Sequence, residues 1–212
     1  TTEIYTLSLH DALPISINDG ICEIRWHGRG GQGAVSSAKI LAAAAYSDRV
    51  QGVTSAPSFG AERRGAPVTA STRMSAKPIR IFSQSEQPHV VIVLDDTLIE
   101  SGRALDGLRP GGWIVVNTKK APEELGIPAV FSVATADANR AAEDVGLIVG
   151  GAPMVNTPML GAVAKATGLL GLDEVKHGIE HAFTPAAARK NFEAARLLFG
   201  STRCLPAAPA SE

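Results

Sequence analysis

The sequence predicts an α/β fold in which short strands alternate with helices. A β-branched run, VVIVL at residues 90–94, is typical of a strand covered on both faces. A glycine turn also joins the strand-like segment 22–27 to an alanine-rich helical segment at 34–46. We therefore expect a three-layer, Rossmann-like domain with a mostly parallel (mixed) sheet and a helical C-terminal part.

The elements follow in order along the chain. The strand-like runs are residues 22–27, 50–54, 68–74, 79–82, 90–94, 113–116 and 129–133. Of these, 68–74 and 79–82 predict a hairpin-like pair around Lys77-Pro78. Asp95 and Asp96 end the fifth run, at the position where an open α/β sheet binds ligands. They are equally suited to cap the following short helix, which is the interpretation we prefer. From Ala136 onward the pattern is mostly helical.

Composition excludes several classes of function. The 212 residues carry 20 Lys+Arg against 21 Asp+Glu, so a general nucleic-acid or acidic-membrane binder is not expected. No apolar run reaches the ~18 to 20 residues of a membrane span. Two cysteines, Cys22 and Cys204, are too few for an iron–sulfur cluster and fit a reduced, cytoplasmic compartment.

The two ends are expected to lie outside the functional domain. Residues 1–20 lack the basic region of a signal peptide, and TEIYTLSLHDALPIS resembles translated sequencing-adapter read-through. We interpret them as a non-native or disordered leader and residues 203–212, rich in Pro and Ala, as a flexible tail. The domain is then expected at 21–202.

The most informative motif is the glycine turn at residues 28–33, GRGGQG, which satisfies G-x-G-x-x-G between a strand and a helix. Glycines allow close backbone approach, and a helix N-terminus offers free N–H groups to an anion. Three interpretations stay open: an NAD(P) site, a tight turn used for packing or a subunit contact, and a site for a phosphate-bearing acyl carrier. For NAD(P), Asp48 has roughly the right offset for a ribose ligand but lies before the next strand.

A second unusual block, PSFGAERRGAP, spans residues 57–67. Arg63 and Arg64 stand between glycines beside Glu62. Such a run is compatible with a solvated turn, and arginine forks also suit phosphates, carboxylates and interface ion pairs.

Together, HGRGGQG and SFGAERRGAPVTASTRMS resemble the gamma subunit of 2-oxoacid (pyruvate or ketoisovalerate):ferredoxin oxidoreductases. The segments at 77–79, 90–95, 111–117 and 156–162 are similar to that family as well. The similarity extends over residues 21–199.

The resemblance implies a subunit of a complex that oxidatively decarboxylates a 2-oxoacid, most simply pyruvate, to acyl-CoA and reduces ferredoxin. Thiamine diphosphate with Mg would lie on the alpha and beta partners, and 4Fe-4S clusters on the beta and delta partners. Coenzyme A would be the co-substrate. No cofactor, metal or catalytic residue is assigned to this chain alone, and the isolated chain is expected to be inactive.

The resemblance also suggests where this chain meets its partners. The hypothesis is that two loops complete the cleft of the complex and that their arginines help to receive the coenzyme A phosphates. The residues assigned to phosphate binding or the interface are Gly28, Arg29, Gly30, Gly31, Gln32, Gly33, Arg63 and Arg64. Those assigned to the interface alone are Phe59, Gly60, Glu62, Gly65 and Asn156. From the residues themselves, Asn156 either orients a loop or caps the helix that starts near Pro158.

One further motif predicts a different chemistry. His177 and His181 match H-x-x-E-H, the inverted zinc-peptidase pattern. Two histidines at i and i+4 also occur on any solvent-facing helix, which is the interpretation we prefer.

Overall fold

The computed structural model describes residues 20–46, 50–58, 65–80, 86–100 and 103–209. The strands are β1 (Ile21–Arg29), β2 (Gly52–Ser58), β3 (Pro67–Ser75), β4 (Val90–Val93), β5 (Trp113–Asn117), β6 (Ser132–Ala136), β7 (Ile148–Val149), β8 (Ala152–Pro153) and β9 (Arg203–Leu205). The α-helices are α1 (Ala34–Ala45), α2 (Ala138–Asp144), α3 (Pro158–Thr167), α4 (Leu172–Ala182) and α5 (Pro185–Ser201). Among these residues, no helix combines the length and the apolar character needed to cross a bilayer.

Seven strands form one mixed sheet in the order β2-β3-β1-β4-β5-β6-β9. The pairs β1–β4, β4–β5 and β5–β6 are parallel, whereas β3 is antiparallel to both of its neighbours and β9 is antiparallel to β6. Five of the strands therefore share a direction and two oppose it. This arrangement confirms the predicted α/β class with a mostly parallel sheet.

All five α-helices contribute to the core on one face of the sheet. Ile24, Trp26 and Ile92 on that face join the same buried cluster as Leu41 of α1 and Met159 of α3. These side chains are at most 1% exposed, because alternate strand residues point into a layer that the helices cover completely.

Glycines let these helices pack at short distance. A Cβ added to Gly161 of α3 would lie 1.9 Å from the backbone oxygen of Ala195 in α5. A Cβ on Gly178 of α4 would lie 2.6 Å from the Cβ of Ala44 in α1. Both contacts lie well below van der Waals distance, so only glycine fits at these crossings.

The opposite face carries a second core under 3-10 helices rather than α-helices. Val91, Val93, Ile114 and Val116 point to this side. They meet the segments Asp96–Leu98, Arg103–Leu105 and Pro122–Leu125. Pro110, Pro122 and several glycines interrupt the connections β4–β5 and β5–β6, and this explains why longer helices do not form there.

The strand limits differ from the sequence prediction at three places. Strand β2 spans Gly52–Ser58 rather than the expected 50–54. Both edges of β3 are taken by β1 and β2, so the expected pairing of 68–74 with 79–82 is wrong. Ile79 and Arg80 form no strand, and residues 81–82 lie outside the described residues. Strand β6 begins at Ser132 rather than 129, because Phe131 N–H closes a turn onto the Pro128 carbonyl (3.0 Å).

The C-terminal segment is more ordered than expected. Residues 203–205 form β9 instead of a flexible tail, and the Ala207 and Ala208 N–H groups donate to Ser132 Oγ and the Ala129 carbonyl. The sheet therefore extends past the expected boundary at 202. The expected leader, residues 1–19, lies outside the described residues.

Candidate functional site

The site lies at the carboxyl ends of β1 and β4, where the connections of the sheet diverge. From β1 the chain passes through α1 to β2 on one side, and from β4 it continues to β5 on the other. Such a switch point leaves a crevice outside the strand ends, which is where open α/β sheets bind ligands. The predicted glycine turn at 28–33 lies in this crevice.

The glycine turn has the backbone that its sequence requires. Gly31 (φ 95°) and Gly33 (φ 81°) take left-handed conformations. Gly28 is buried, and a Cβ there would lie 3.2 Å from Leu94 Cδ1, so the turn packs closely against the end of β4. Gly30 N–H donates to the Ala66 carbonyl (2.8 Å) and its carbonyl accepts from Gly65 N–H (3.3 Å). Hence Gly65, predicted at the interface, lies beside this turn.

The N-terminus of α1 faces the crevice with backbone donors that have no acceptor among the described residues. Gly33 is its N-cap and provides no capping side chain. The first helical hydrogen bond runs from Ser37 N–H to the Gly33 carbonyl (2.9 Å), and an α-helix has no internal acceptors for its first-turn amides. Three backbone N–H groups, those of residues 34–36, therefore point toward any ligand at this position.

Arg29 is held within the chain. Its Nε lies 2.9 Å from Asp95 Oδ2, and its two terminal nitrogens donate to Thr97 Oγ1 (2.6 Å) and the Gly65 carbonyl (3.3 Å). Gln32 joins the network, because its Oε1 accepts from Arg29 N–H (2.7 Å) and its Nε2 donates to Asp95 (3.3 Å). Arg29 thus connects the glycine turn, the end of β4 and Gly65.

Asp95 is the anchor of this network. Burial by itself would raise the pKa of its carboxyl, but hydrogen bonds from Thr97 and Arg29 and the charge of Arg29 outweigh that effect and lower the pKa below its ordinary value. Its Oδ1 also accepts from Thr97 N–H (3.2 Å) and caps the 3-10 helix Asp96–Leu98, as the sequence predicts. Asp95 therefore stays ionised at neutral pH.

A cleft of about 990 Å³ adjoins the glycine turn. One wall is the start of α1 and the other is the β7–β8 hairpin, where Val149 is 61% exposed. Asn156 lines the cleft although it is only 2% exposed. Its Oδ1 has no hydrogen-bond partner among the described residues, and Thr157, not Asn156, is the N-cap of α3. The alternative that Asn156 caps this helix is therefore wrong.

His27 lies on β1 just before the turn and acts as a hydrogen-bond acceptor. Arg25 Nε donates to His27 Nε2 (3.0 Å), and Arg25 also donates to the carbonyls of Ala104 and Asp106. Burial first, and then the charge of Arg25, lower the pKa of His27 to about 4. The imidazole is thus neutral and fixed at physiological pH, which suits an anchor better than a general base.

Part of the predicted site cannot be placed. Phe59, Gly60, Glu62, Arg63, Arg64 and Asp48 lie outside the described residues. Their assignment stays a prediction. Gly65, which follows residues 59–64 in the chain, lies next to the glycine turn.

The zinc alternative gains no support. His177 and His181 are exposed on α4, and within the described part of the chain no three His, Cys, Asp or Glu side chains converge on a point.

The structure adds two features that the sequence analysis missed. One is the β7–β8 hairpin, whose Gly150-Gly151 turn is a recognisable hairpin signal between two apolar pairs. The other is the role of Asp95 as the partner of Arg29, 66 residues away, for which the sequence carries no local signal.

Fold and site together define an α/β domain with a glycine-turn crevice that is not a dinucleotide-binding dehydrogenase. In that class a second parallel strand lies beside the first and carries the ribose-binding acid. Here the antiparallel β3 lies beside β1, and β2 is one strand further out. The alternative of a free-standing NAD(P) enzyme is therefore not supported.

Comparison with known proteins identifies the family. The sequence profile described as pyruvate ferredoxin/flavodoxin oxidoreductase matches residues 23–199. The pyruvate/ketoisovalerate oxidoreductases common subunit gamma of Thermococcus kodakarensis is 47% identical over 180 residues, which cover 85% of this chain and 96% of that protein. The chain belongs to the pyruvate ferredoxin/flavodoxin oxidoreductase family, as a gamma-type (PorC) subunit of a pyruvate/2-oxoacid:ferredoxin oxidoreductase.

Solved structures agree with this assignment. Pyruvate oxidoreductase subunit PORC from Thermotoga maritima superposes with a TM-score of 0.74 at 34% identity, covering 87% of this chain and 98% of that one. The 2-oxoglutarate:ferredoxin oxidoreductase from Magnetococcus marinus, with 2-oxoglutarate, coenzyme A and succinyl-CoA bound, shares the fold at a TM-score of 0.66 and 20% identity, covering 90% of this chain and 32% of that one. The resemblance predicted from the two motif blocks is thus confirmed.

Proposed function

We propose that this chain works in a cytoplasmic complex that converts pyruvate and coenzyme A to acetyl-CoA and CO₂ while reducing ferredoxin, or runs that reaction in reverse. Alpha, beta and delta partners complete the complex. The observation that supports the proposal is the glycine-turn crevice in a chain whose two cysteines are too few for a cluster. One of them, Cys22, is buried and its thiol pKa is raised to about 12, so it supplies no reactive thiolate.

We assign the cofactors to the partner chains and part of the co-substrate site to this chain. When bound to the partners, thiamine diphosphate with Mg supplies the decarboxylation chemistry, and 4Fe-4S clusters carry the electrons. This chain contributes backbone N–H donors at the start of α1, a rigid turn held by Arg29, and the loop that ends at Gly65. These groups bind and orient a co-substrate and exclude water.

The co-substrate we assign to the crevice is coenzyme A, whose phosphates match first-turn amides and arginine side chains. The ligand-bound neighbour from Magnetococcus marinus holds coenzyme A, which supports this choice by fold. Arg29 is already paired with Asp95 and is assigned a positioning role. Arg63 and Arg64 are the arginines we assign to phosphate or to the interface, together with Phe59, Gly60, Glu62 and Asn156.

The test is kinetic and uses the reconstituted complex. We expect Arg63→Met/Arg64→Met to raise the KM for coenzyme A by roughly tenfold or more, since a charged hydrogen bond contributes about 1.5–3 kcal/mol. Arg189→Met, an exposed arginine on α5, is the matched control and should leave that KM unchanged.

Three outcomes separate the parts of the proposal. An unchanged KM in an assembled complex contradicts the phosphate role. Loss of assembly in the double variant supports the interface role. Oxoacid-dependent reduction of ferredoxin by this chain alone would contradict its assignment as a subunit.

A further inference from the structure

The β7–β8 hairpin is an exposed apolar element. Residues 145–155 read VGLIVGGAPMV and contain no charged, hydroxyl or amide side chain, and residues 148–152 are all exposed. Ile148 is 45% and Val149 is 61% exposed. Among the exposed large apolar side chains of the described residues, they are the one pair adjacent in the chain. Single exposed aliphatic residues need no explanation, but a contiguous apolar patch indicates an interaction site.

The hairpin presents this patch in a fixed conformation. Its two strands pair in antiparallel register, and the turn residues Gly150 (φ 59°) and Gly151 (φ 82°) have the positive φ that a two-residue type I′ turn requires. At the base, Leu147 N–H donates to the Ala142 carbonyl (2.8 Å) and Met154 N–H donates to the Leu147 carbonyl (3.0 Å). A preformed element loses little conformational entropy when it binds.

The tip of the hairpin stands clear of the rest of the described chain. A Cβ on Gly150 or Gly151 would meet no atom of the described residues within 4 Å. Val149 lines the 990 Å³ cleft, whereas Ile148 does not, as expected for successive residues of a strand, which point to opposite faces. A ligand in the cleft would therefore cover Val149 and leave Ile148 in solvent. Covering Ile148 requires a partner that lies outside the cleft, against the other face of the hairpin.

The related proteins indicate which partner this is. The Thermococcus kodakarensis gamma subunit is matched over 96% of its length, so in that protein the fold is a chain of its own. In the Magnetococcus marinus protein the matched stretch is 32% of the chain, so there the same fold is joined to a longer polypeptide. A covalent link gives a high effective concentration, which a separate subunit has to replace with affinity at its interface. An apolar anchor that is already in its binding conformation supplies such affinity.

We propose that the β7–β8 hairpin inserts Ile148 into an apolar pocket of the partner subunit that corresponds to the rest of the Magnetococcus marinus polypeptide. The existence of that partner rests on the proposed function. The choice of this surface rests on the exposure and the apolar character of residues 148–152. Because the hairpin is also one wall of the cleft, the same contact places the partner subunit at the mouth of the cleft.

The experiment titrates the full chain into the reconstituted complex of all the other subunits and measures the apparent Kd by analytical ultracentrifugation. We expect Ile148→Asp to raise this Kd tenfold or more, because a carboxylate without a partner is unfavourable in an apolar pocket. Val130→Asp is the matched control, since Val130 is also 45% exposed but lies before β6, and it should keep the wild-type Kd. Thermal unfolding of each free chain shows whether the variant folds.

Two results would overturn the proposal. One is a wild-type Kd for Ile148→Asp. The other is a variant complex that assembles with the wild-type Kd and has only a raised KM for coenzyme A, because the hairpin would then contact a ligand of the cleft instead of a partner.

Hydrogen exchange of the wild-type protein decides the question if Ile148→Asp does not fold. We expect the backbone amides of residues 148–152 to exchange about tenfold more slowly in the complex than in the free chain. Equal exchange rates in the two states contradict the proposal.

These outcomes are distinct from those of the kinetic test. A complex that assembles through the hairpin but does not oxidise pyruvate contradicts only the proposed function. A complex that oxidises pyruvate with coenzyme A, and whose assembly is insensitive to Ile148→Asp, contradicts only the present inference.

Discussion

Replacing Gly33 with alanine should cost more stability than replacing Gly31, although both glycines lie in the same turn. Each has a positive φ, 81° and 95°, and an alanine in that region costs about 1–2 kcal/mol. A Cβ on Gly31 meets nothing within 4 Å, so Gly31→Ala should lower the free energy of unfolding by that strain alone.

The cost at Gly33 has a second part. Its new Cβ would lie 2.8, 2.9 and 3.1 Å from Nδ2, Cγ and Cβ of Asn156, which is buried and has little room to move. Forcing an extra methyl group into such a site costs about 1–3 kcal/mol. We therefore expect Gly33→Ala to lose about 2–5 kcal/mol in total.

Urea unfolding followed by circular dichroism measures both losses under identical conditions. Adding Asn156→Ala to Gly33→Ala should recover part of the loss, with a coupling energy of about 0.5–3 kcal/mol. Equal losses for the two glycine variants, or strictly additive effects in the double variant, would refute the packing of Asn156 against the N-cap.

Three further measurements test the fold and the network. Gly161→Ala should destabilise the chain by about 1–3 kcal/mol through the clash between α3 and α5. Gly200→Ala, on an open helix surface, should leave the free energy of unfolding unchanged or raise it by up to about 1 kcal/mol. Thermal unfolding that ranks the two variants the other way contradicts the close helix crossing. The pKa of Asp95 is lowered in the folded state, so its contribution to stability is present at neutral pH and is lost as pH falls below about 4 through the folded-state pKa. Arg29→Met should therefore flatten the fall in unfolding free energy at acid pH. An unchanged fall in the variant argues against the ion pair. The pKa of His27 is lowered to about 4, so stability should fall as pH drops from about 6.5 toward 4. The NMR signals of the His27 ring should not titrate between pH 5 and 8. A titration midpoint near pH 6.5 contradicts the buried pairing of His27 with Arg25.

The features predicted from sequence are those with local causes. The glycine turn, α1 and the buried strands β4 and β5 each depend on residues adjacent in the chain, and the sequence predicts them within one or two residues. The cap formed by Asp95 is local as well, since its acceptor and the Thr97 N–H are two residues apart.

Features that depend on distant residues were missed. The position of β3 between β1 and β2 follows from pairing across the sheet, and a period of two does not specify which neighbour a strand takes. The Arg29–Asp95 pair and the contact of Gly33 with Asn156 join segments separated by 66 and more than 100 residues. Tertiary packing alone brings such groups together, so the sequence predicts the residues of the crevice better than their partners.

The order of strands in the sheet has a consequence for synthesis on the ribosome. After β2, each strand of the seven-stranded sheet pairs with one made earlier: β3 joins β1 and β2, and then β4, β5, β6 and β9 are added in turn at one edge. No strand has to insert between two that are already paired, so the sheet can grow outward while the chain emerges. The edge of β6 stays open until residues 203–205 leave the exit tunnel. A stalled chain lacking β9 would thus expose the five-residue β6 as an edge strand in place of the three-residue β9, and the longer edge is the one more prone to aggregation.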